Sequence, residues 1–165
     1  MTAFPLAVMA VAPFSGAISD RIGTRLPACL GAALCALSLL FMSRLQPSAG
    51  SMDVVWRLAL FGFGTGIFQS PNTSAVMGST PKPHLGIASG ILATMRNVGM
   101  VLGIATGGAV LYAFAPSDIL QKDSLMLSEA ALFLQGLKHA YVAGAILTGV
   151  AAITSLVRSK EERRQ

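Results

Sequence analysis

Two long apolar runs of this chain are joined by the stretch Gly16-Ala17-Ile18-Ser19-Asp20-Arg21-Ile22-Gly23-Thr24-Arg25. These ten residues contain one aspartate, two arginines and two glycines. A stretch of this length is too short to bury its own charged side chains. Because apolar residues close in on both sides, the charges must meet water immediately after one run and before the next. The stretch therefore predicts a turn at which two membrane-spanning helices reach water and reverse direction.

The composition excludes an ordinary soluble domain. Of the 165 residues, 53% are hydrophobic and only 12% are charged, which is too little charge to cover a soluble surface. The apolar residues form blocks close to the ~20 residues that cross a ~30 Å hydrocarbon core. We predict an all-α polytopic membrane protein with five transmembrane helices, near residues 2–19, 26–44, 54–77, 87–114 and 139–157.

The connections between these spans carry the polar residues. Residues 115–138 are the longest connection and are predicted to be an outer loop, whose apolar part, 125–137, forms a short helix on the membrane surface. Residues 158–165 form a charged cytoplasmic tail. With the Asp20 turn inside, seven Lys and Arg residues lie at the inner ends of the spans and four at the outer ends. This bias predicts an outside N-terminus and a cytoplasmic C-terminus, and we expect the bacterial inner (plasma) membrane.

One face of the third predicted span combines small and polar residues. At 100° per residue, Gly62, Gly66, Gln69 and Thr73 share this face, and Asn72 is next to it. Two interpretations stay open. The glycines and polar groups hold neighbouring helices together, or Gln69, Asn72 and Thr73 line a cavity that receives a substrate.

The fourth predicted span contains a deeply placed arginine. Gly99, Gly103 and Gly107 repeat every four residues, and Arg96 lies within about 60° of the same face. An arginine at this depth costs at least ~2.5–3.5 kcal/mol, so Arg96 is expected to face protein or water. It either binds an anionic group or a carboxylate of another helix, or donates hydrogen bonds to carbonyls of a broken neighbour. The three glycines are expected to pack against a second helix.

The sequence disfavours an enzyme. Its seven acidic residues all lie outside the deep parts of the predicted spans, so the chain itself supplies no intramembrane carboxylate for proton coupling. Cys29 and Cys35 are expected on different faces of one span, which disfavours a disulfide or a metal site. We expect no catalytic residues, no cofactor, no metal and no nucleic-acid partner.

The charged turn carries a family resemblance. It reads Gly-x-x-x-Asp-Arg-x-Gly-x-Arg, with the fixed positions at Gly16, Asp20, Arg21, Gly23 and Arg25. This pattern resembles the loop between the second and third helices of a six-helix repeat in the major facilitator superfamily of secondary transporters. The resemblance implies that these five residues act in conformational change, by locking one face of a transporter, rather than in binding a substrate.

Two further segments resemble motifs of the same family. Arg57 followed by Gly62, Gly64 and Gly66 resembles the Arg-x-x-x-Gly-x-Gly motif of the fourth helix, but the spacing is one residue longer, so no proton-transfer role is assigned to Arg57. The run Gly99-x-x-x-Gly103-Ile104-x-x-Gly107-Gly108 resembles the antiporter motif of the fifth helix, with Ile104 in place of a proline.

The order of these motifs is that of helices two to six of one repeat. The resemblance therefore implies that residues 1–165 are a partial facilitator C-terminal domain, a six-helix repeat lacking its first helix. The segment from Pro81 through Gly86–Gly90 to Arg96 resembles multidrug:proton antiporters, the fourteen-span type in particular.

The implied function is proton-coupled export of drugs or other small hydrophobic or cationic compounds. We expect the chain to be unable to transport alone. Its expected partners are the lipid bilayer, the missing N-terminal half or another membrane protein, and a small-molecule substrate once the transporter is complete. The alternative is a small membrane scaffold or regulatory protein that binds another membrane protein through its glycine-rich helix face.

Overall fold

The computed structural model describes residues 2–46, 48–115 and 127–157. Within these ranges the chain consists of five long helices and one 3₁₀ turn, with no strand, as the sequence predicted. The elements are α1 (Ala3–Ile22), α2 (Arg25–Met42), α3 (Ser51–Gly78), the 3₁₀ turn (Lys82–His84), α4 (Leu85–Phe114) and α5 (Leu127–Val157). The predicted tail, residues 158–165, lies outside the described residues.

Three stretches of the described chain are long and apolar enough to cross a membrane, namely Arg25–Met42, Lys82–Phe114 and Ala131–Ser155. The apolar part of α1, Ala3–Ser19, is shorter. Helix α3 is less apolar because it carries Gln69, Ser70, Asn72 and Thr73. Nevertheless, α1 has 20 residues and α3 has 28, which correspond to about 30 and 42 Å of helix. Because α3 packs along both α1 and α2, these neighbours cover much of its surface.

The connection between α1 and α2 is shorter than the sequence indicated. Residues 16–22 continue α1, so that only Gly23 and Thr24 connect the helices. Gly23 has φ +87° and ψ 161°, and its N–H donates a hydrogen bond to the Ser19 carbonyl at 2.9 Å. The predicted ten-residue turn was therefore wrong in extent. No helix-breaking residue stands between Gly16 and Gly23, and the helix continues until a glycine allows the reversal.

Gly23→Ala is expected to lower the free energy of unfolding by about 1 kcal/mol, because the backbone region that Gly23 occupies is essentially restricted to glycine. Gly86→Ala is the matched control, since a Cβ at Gly86 meets no heavy atom within 4 Å among the described residues. Thermal unfolding in detergent, followed by circular dichroism, measures both. Equal stability of the two variants would contradict the assignment of Gly23 as the reversal point.

Helices α1 and α3 approach closely at two glycines. A Cβ at Gly62 would lie 2.7 Å from the Phe4 carbonyl oxygen and 2.8 Å from the Ala7 Cβ. One turn later, a Cβ at Gly66 would lie 3.3 Å from the Val11 Cβ. Both glycines therefore pack against α1, the helix-packing role that the sequence predicted for them.

Helix α2 packs on the other side of α3 through a different glycine pair. A Cβ at Gly64 would lie 2.7 Å from the Cys35 Sγ and 2.8 Å from the Cys35 amide nitrogen. Reciprocally, a Cβ at Gly31 would lie 2.5 Å from the Phe68 nitrogen and 2.8 Å from the Gly64 carbonyl oxygen. Because Gly64 is two residues from Gly62 and Gly66, it points about 200° away from each of them. The alternating glycines thus let α3 lie between two helices.

A buried proline in α3 is compensated by a serine of α1. Pro71 is fully buried and has no N–H, so the carbonyl of Ile67, four residues earlier, lacks its helical donor. The Ser15 hydroxyl donates a hydrogen bond to this carbonyl at 2.9 Å. A third contact follows at Gly16, where a Cβ would lie 3.0 Å from the Ser70 Oγ. Helices α1 and α3 are therefore joined by a specific polar contact as well as by close packing.

Helix α5 packs against α2 and α4 and is longer than expected. It begins at Leu127, so the separate surface helix predicted within residues 125–137 is instead part of one continuous helix with the last span. The helix continues through Gly136. A Cβ at Gly136 would lie 3.0 Å from both the Ala115 Cβ and the Leu111 Cδ1. The glycine serves a close approach to α4 rather than a helix end. The rest of the predicted outer loop, residues 116–126, lies outside the described residues.

Candidate functional site

A groove of about 570 Å³ lies between α3 and α4. It brings together three of the four residues that the sequence indicated as cavity-facing, namely Gln69, Asn72 and Arg96. The groove is lined by Thr65, Phe68, Gln69 and Asn72 of α3 and by Leu92, Met95, Arg96 and Met100 of α4.

Helical periodicity explains why these side chains converge. Thr65 and Gln69, and Phe68 and Asn72, are each four residues apart and therefore lie on one side of α3. On α4 the same spacing puts Leu92, Arg96 and Met100 in one row. Thr73, the fourth residue indicated by the sequence, is not among the lining residues. Its hydroxyl donates to the Gln69 carbonyl of its own helix at 2.9 Å, the usual bond for a threonine within a helix.

The polar side chains of the groove differ in whether they are already paired. The Thr65 hydroxyl donates to the Phe61 carbonyl at 2.9 Å and lies 3.7 Å from the Cys35 Sγ. By contrast, the structure records no hydrogen bond or ion pair between the side chains of Gln69, Asn72 or Arg96 and the rest of the described chain. The groove thus presents one permanent positive charge and two free amides. Within the part of the chain that the structure describes, no acidic residue lines it.

A second cavity of about 620 Å³ adjoins this groove and shares Phe68 with it. The hydroxyl of Thr106 donates to the Leu102 carbonyl at 2.7 Å, and that of Thr148 donates to the Gly144 carbonyl at 2.8 Å. The threonine protons are therefore already used, and the wall is apolar. It is lined by Ala32, Cys35, Phe68, Gly99, Leu102, Gly103, Thr106, Gly144, Leu147, Thr148 and Ala151.

The glycines of α4 make no close helix contact among the described residues. A Cβ at Gly99, Gly103 or Gly107 would meet no heavy atom within 4 Å in the part of the chain that the structure describes. These three glycines therefore meet no second helix among the described residues, and their packing role stays a prediction from the sequence. The close contact of α4 with α5 lies further along the same side of the helix, where Leu111 and Ala115 approach Gly136. Gly99 and Gly103 instead form part of the apolar cavity wall.

The motif around the first turn is only partly described. Gly16 contacts α3, Gly23 ends α1, and Arg25 begins α2. The side chains of Asp20 and Arg21 lie outside what the structure describes. A conformational role for these five residues remains a prediction from the sequence.

Several residues of the site were missed by sequence reasoning. Phe68, Met95 and Met100 are apolar and were taken only as membrane-spanning residues. The four-residue spacing of Phe68 from Asn72 and of Met100 from Arg96 could have identified two of them. Arg57 lines neither cavity, and its guanidinium carbon lies 5.0 Å from the centre of the Trp56 ring. Among residues 2–46, 48–115 and 127–157, no group of three His, Cys, Asp or Glu residues could hold a metal ion.

Comparison with known proteins agrees with this architecture. The "Uncharacterized transporter YebQ" of Escherichia coli (strain K12) is 31% identical over 163 residues, which cover 99% of this chain and 32% of that protein. The "Riboflavin transporter RibZ" of Clostridioides difficile (strain 630) is 32% identical over 64% of this chain and 23% of its own length. The "Multidrug resistance protein Stp" of Mycobacterium tuberculosis (strain CDC 1551 / Oshkosh) is 33% identical over 70% of this chain and 21% of its own length.

The chain thus spans about a third or less of the length of these relatives. A family model described as "Major Facilitator Superfamily" matches residues 1–165, the whole chain. This match agrees with the all-helical fold of the described residues. The chain belongs to the major facilitator superfamily.

Proposed function

We propose that this chain forms the C-terminal portion of a secondary transporter that exports drugs or other small hydrophobic or cationic compounds in exchange for protons. The observation that carries this proposal is the groove between α3 and α4, where Gln69, Asn72 and Arg96 have no partner among the described residues. Stp is named for multidrug resistance, whereas RibZ is named as a riboflavin transporter. The names of these relatives therefore do not agree on a substrate, and we infer the substrate class of this chain from the residues that line the groove.

The groove is best suited to the hydrophobic part of such a compound. Phe68, Met95 and Met100 offer a flat ring and two flexible thioethers, which adapt to ligands of different shape. The charge of Arg96 opposes a cation in the same place. A cationic compound, and the coupled proton, would therefore need a carboxylate from outside the described residues.

Transport by this family of folds requires two helix bundles that rock about a site near the membrane midplane. The described helices form a single bundle, with one wall of the groove on α3 and the other on α4. We propose that a second bundle, either an N-terminal half or a separately made membrane protein, completes the site. The assembly would lie in a bacterial inner membrane with the N-terminal end of this chain outside, and would act as a transporter rather than an enzyme.

Reconstitution of the purified chain tests this function. We expect the chain in lipid nanodiscs to bind a hydrophobic fluorescent dye, and Phe68→Ala to weaken this binding. Phe63→Ala, in the same helix, is the control because Phe63 is 41% exposed and lines neither cavity. In proteoliposomes with an imposed pH gradient, the chain alone should not move the dye. Gradient-driven transport by the chain alone would contradict the need for a second bundle, and equal binding by both variants would contradict the groove.

The scaffold alternative is favoured by one observation, the uncovered glycines of α4. Gly107→Leu should abolish recovery of a partner protein by such a scaffold, whereas Gly90→Leu, seventeen residues earlier and about 100° away around the helix axis, should not. Co-purification from membranes of the native cells measures this. Undiminished recovery with Gly107→Leu would exclude this face as the scaffold surface.

A further inference from the structure

We propose that the groove and the adjoining cavity together bind an amphipathic organic anion. Its acidic group would lie at Arg96 beside Gln69 and Asn72, and its apolar body would pass Phe68 into the second cavity. This inference rests on the proposed function, because it assumes that the groove is the substrate site. It narrows the class of substrate from hydrophobic compounds in general to apolar acids.

The charge distribution is the first argument. Among the described residues that line either cavity, Arg96 is the only charged one. Asp53, the acidic residue of α3, precedes Gln69 by sixteen residues, which is about 24 Å along the helix axis. A guanidinium that is held within a membrane and has no described counter-charge favours a ligand that brings one.

The geometry of the donors is the second argument. A guanidinium presents parallel N–H groups that match the two oxygens of a carboxylate or sulfonate. The side-chain amides of Gln69 and Asn72, one helical turn apart on the facing helix, each have an NH₂ group without a described acceptor. Together these groups can satisfy more acceptor sites than a neutral carbonyl or hydroxyl offers.

The apolar cavity is the third argument. Its volume of about 620 Å³ is within the ~300–1,000 Å³ of small-molecule sites, and its threonine hydroxyls already donate within their own helices. A side chain at Gly99 or Gly103 would project into this space, since nothing described lies within 4 Å of either Cβ position. The glycines therefore keep the cavity open for the body of the ligand.

Three compounds with the same apolar ring system and different polar groups separate the contributions of the polar group and of the apolar part to the binding affinity. The probes are radiolabelled 2-naphthaleneacetic acid, its neutral amide and the corresponding 2-naphthylethylamine, with the whole chain in nanodiscs at pH 7. We expect the acid to bind more tightly than the amide by about 10-fold to 100-fold, the range of a charge-assisted contact. Arg96→Gln should remove this preference by weakening acid binding far more than amide binding, while Arg96→Lys should retain part of it.

Two further variants serve as controls. Arg44→Gln removes an exposed positive charge at the end of α2 and should leave the preference for the acid intact. Gly103→Leu should weaken binding of the acid and the amide alike, because it fills the space for the shared body. Circular dichroism of each variant identifies any that fails to fold. If Arg96→Gln fails to fold, the acid preference of Arg96→Lys is measured in its place.

The outcomes distinguish this inference from the proposed function. Acid preference that is lost with Arg96→Gln and kept with Arg44→Gln supports the inference. Equal binding of the three compounds, preference for the amine, or acid preference that survives Arg96→Gln overturns it. If none of the three binds while the dye still binds in a Phe68-dependent way, the anion inference fails and the proposed function stands. If the dye does not bind either, the proposed function itself fails.

Discussion

Gly64→Leu is expected to separate α2 from α3 and to lower the free energy of unfolding by at least ~1–3 kcal/mol, the usual cost of overpacking. The clash begins at the first side-chain atom, which would lie 2.7 Å from the Cys35 Sγ and 2.8 Å from the Cys35 amide nitrogen. The backbone of α2 cannot move away without losing the reciprocal contact of Gly31. We therefore expect a cost at the upper end of this range.

Gly107→Leu is the matched control for this prediction. It introduces the same side chain into the interior of another long helix, where no described atom lies within 4 Å of the Cβ position. Leucine also has a better helix propensity than glycine by about 0.5–1 kcal/mol. Thermal unfolding of both variants in the same detergent should show a lower midpoint only for Gly64→Leu. Similar midpoints would mean that α2 and α3 do not meet at this glycine.

Ser15→Ala is expected to cost about 1–3 kcal/mol, because it leaves the partly buried Ile67 carbonyl without a donor. The 2.9 Å bond from Ser15 exists in place of the N–H that Pro71 lacks. Pro71→Ala would restore that N–H, so Ser15→Ala should cost less in a Pro71→Ala background. Unfolding free energies of the wild type, the two single variants and the double variant give this coupling as a double-mutant cycle.

Independence of the two substitutions would contradict the structure at this point. If Ser15→Ala costs the same in both backgrounds, the hydroxyl does not compensate for the proline. A Ser15→Thr variant provides the conservative control, since it keeps the hydroxyl and should retain most of the stability.

The two walls of the groove differ in how closely they pack against the other helices. Phe68 belongs to the part of α3 that approaches Gly31 of α2 most closely, so its backbone is fixed by the packed α1–α3–α2 unit. Helix α4 has no buried residue, and it packs mainly against α5. The width of the groove therefore depends on how α4 and α5 lie against the other three helices. A movement of α4 relative to α3 would therefore change the width of the groove.

Much of the fold could be predicted from the sequence because long apolar blocks leave few alternatives to membrane helices. The convergence of Gln69, Asn72 and Arg96 was also predictable, since polar residues at helical spacing in apolar spans must share a protein-facing side. Thr73 does not line the groove, and its hydroxyl already donates a hydrogen bond within its own helix. Sequence periodicity gives the face of a residue, but not whether its polar atoms are free.

Glycine has several different structural roles in this chain, which explains where the sequence and the structure disagree. Glycine marks a turn at Gly23, a close helix contact at Gly64 and an open cavity wall at Gly103, and the local sequence does not distinguish these uses. At Gly136 it lies within one continuous helix, where the sequence predicted the end of a separate short helix. Which use applies depends on the neighbouring helix, and that information is not contained in the spacing of one segment.

The central claim is that Asn72 and Arg96 face a ligand-accessible groove rather than lipid. It is tested most directly by labelling Asn72→Cys with a charged, membrane-impermeant maleimide in open membrane fragments. The background carries Cys29→Ser and Cys35→Ser, and Val150→Cys on α5 is the control because Val150 is apolar and 53% exposed. We predict rapid labelling of Asn72→Cys, slowed by 2-naphthaleneacetic acid or the hydrophobic dye, and little labelling of Val150→Cys. Equal labelling of the two positions, or none at Asn72→Cys, would contradict the account.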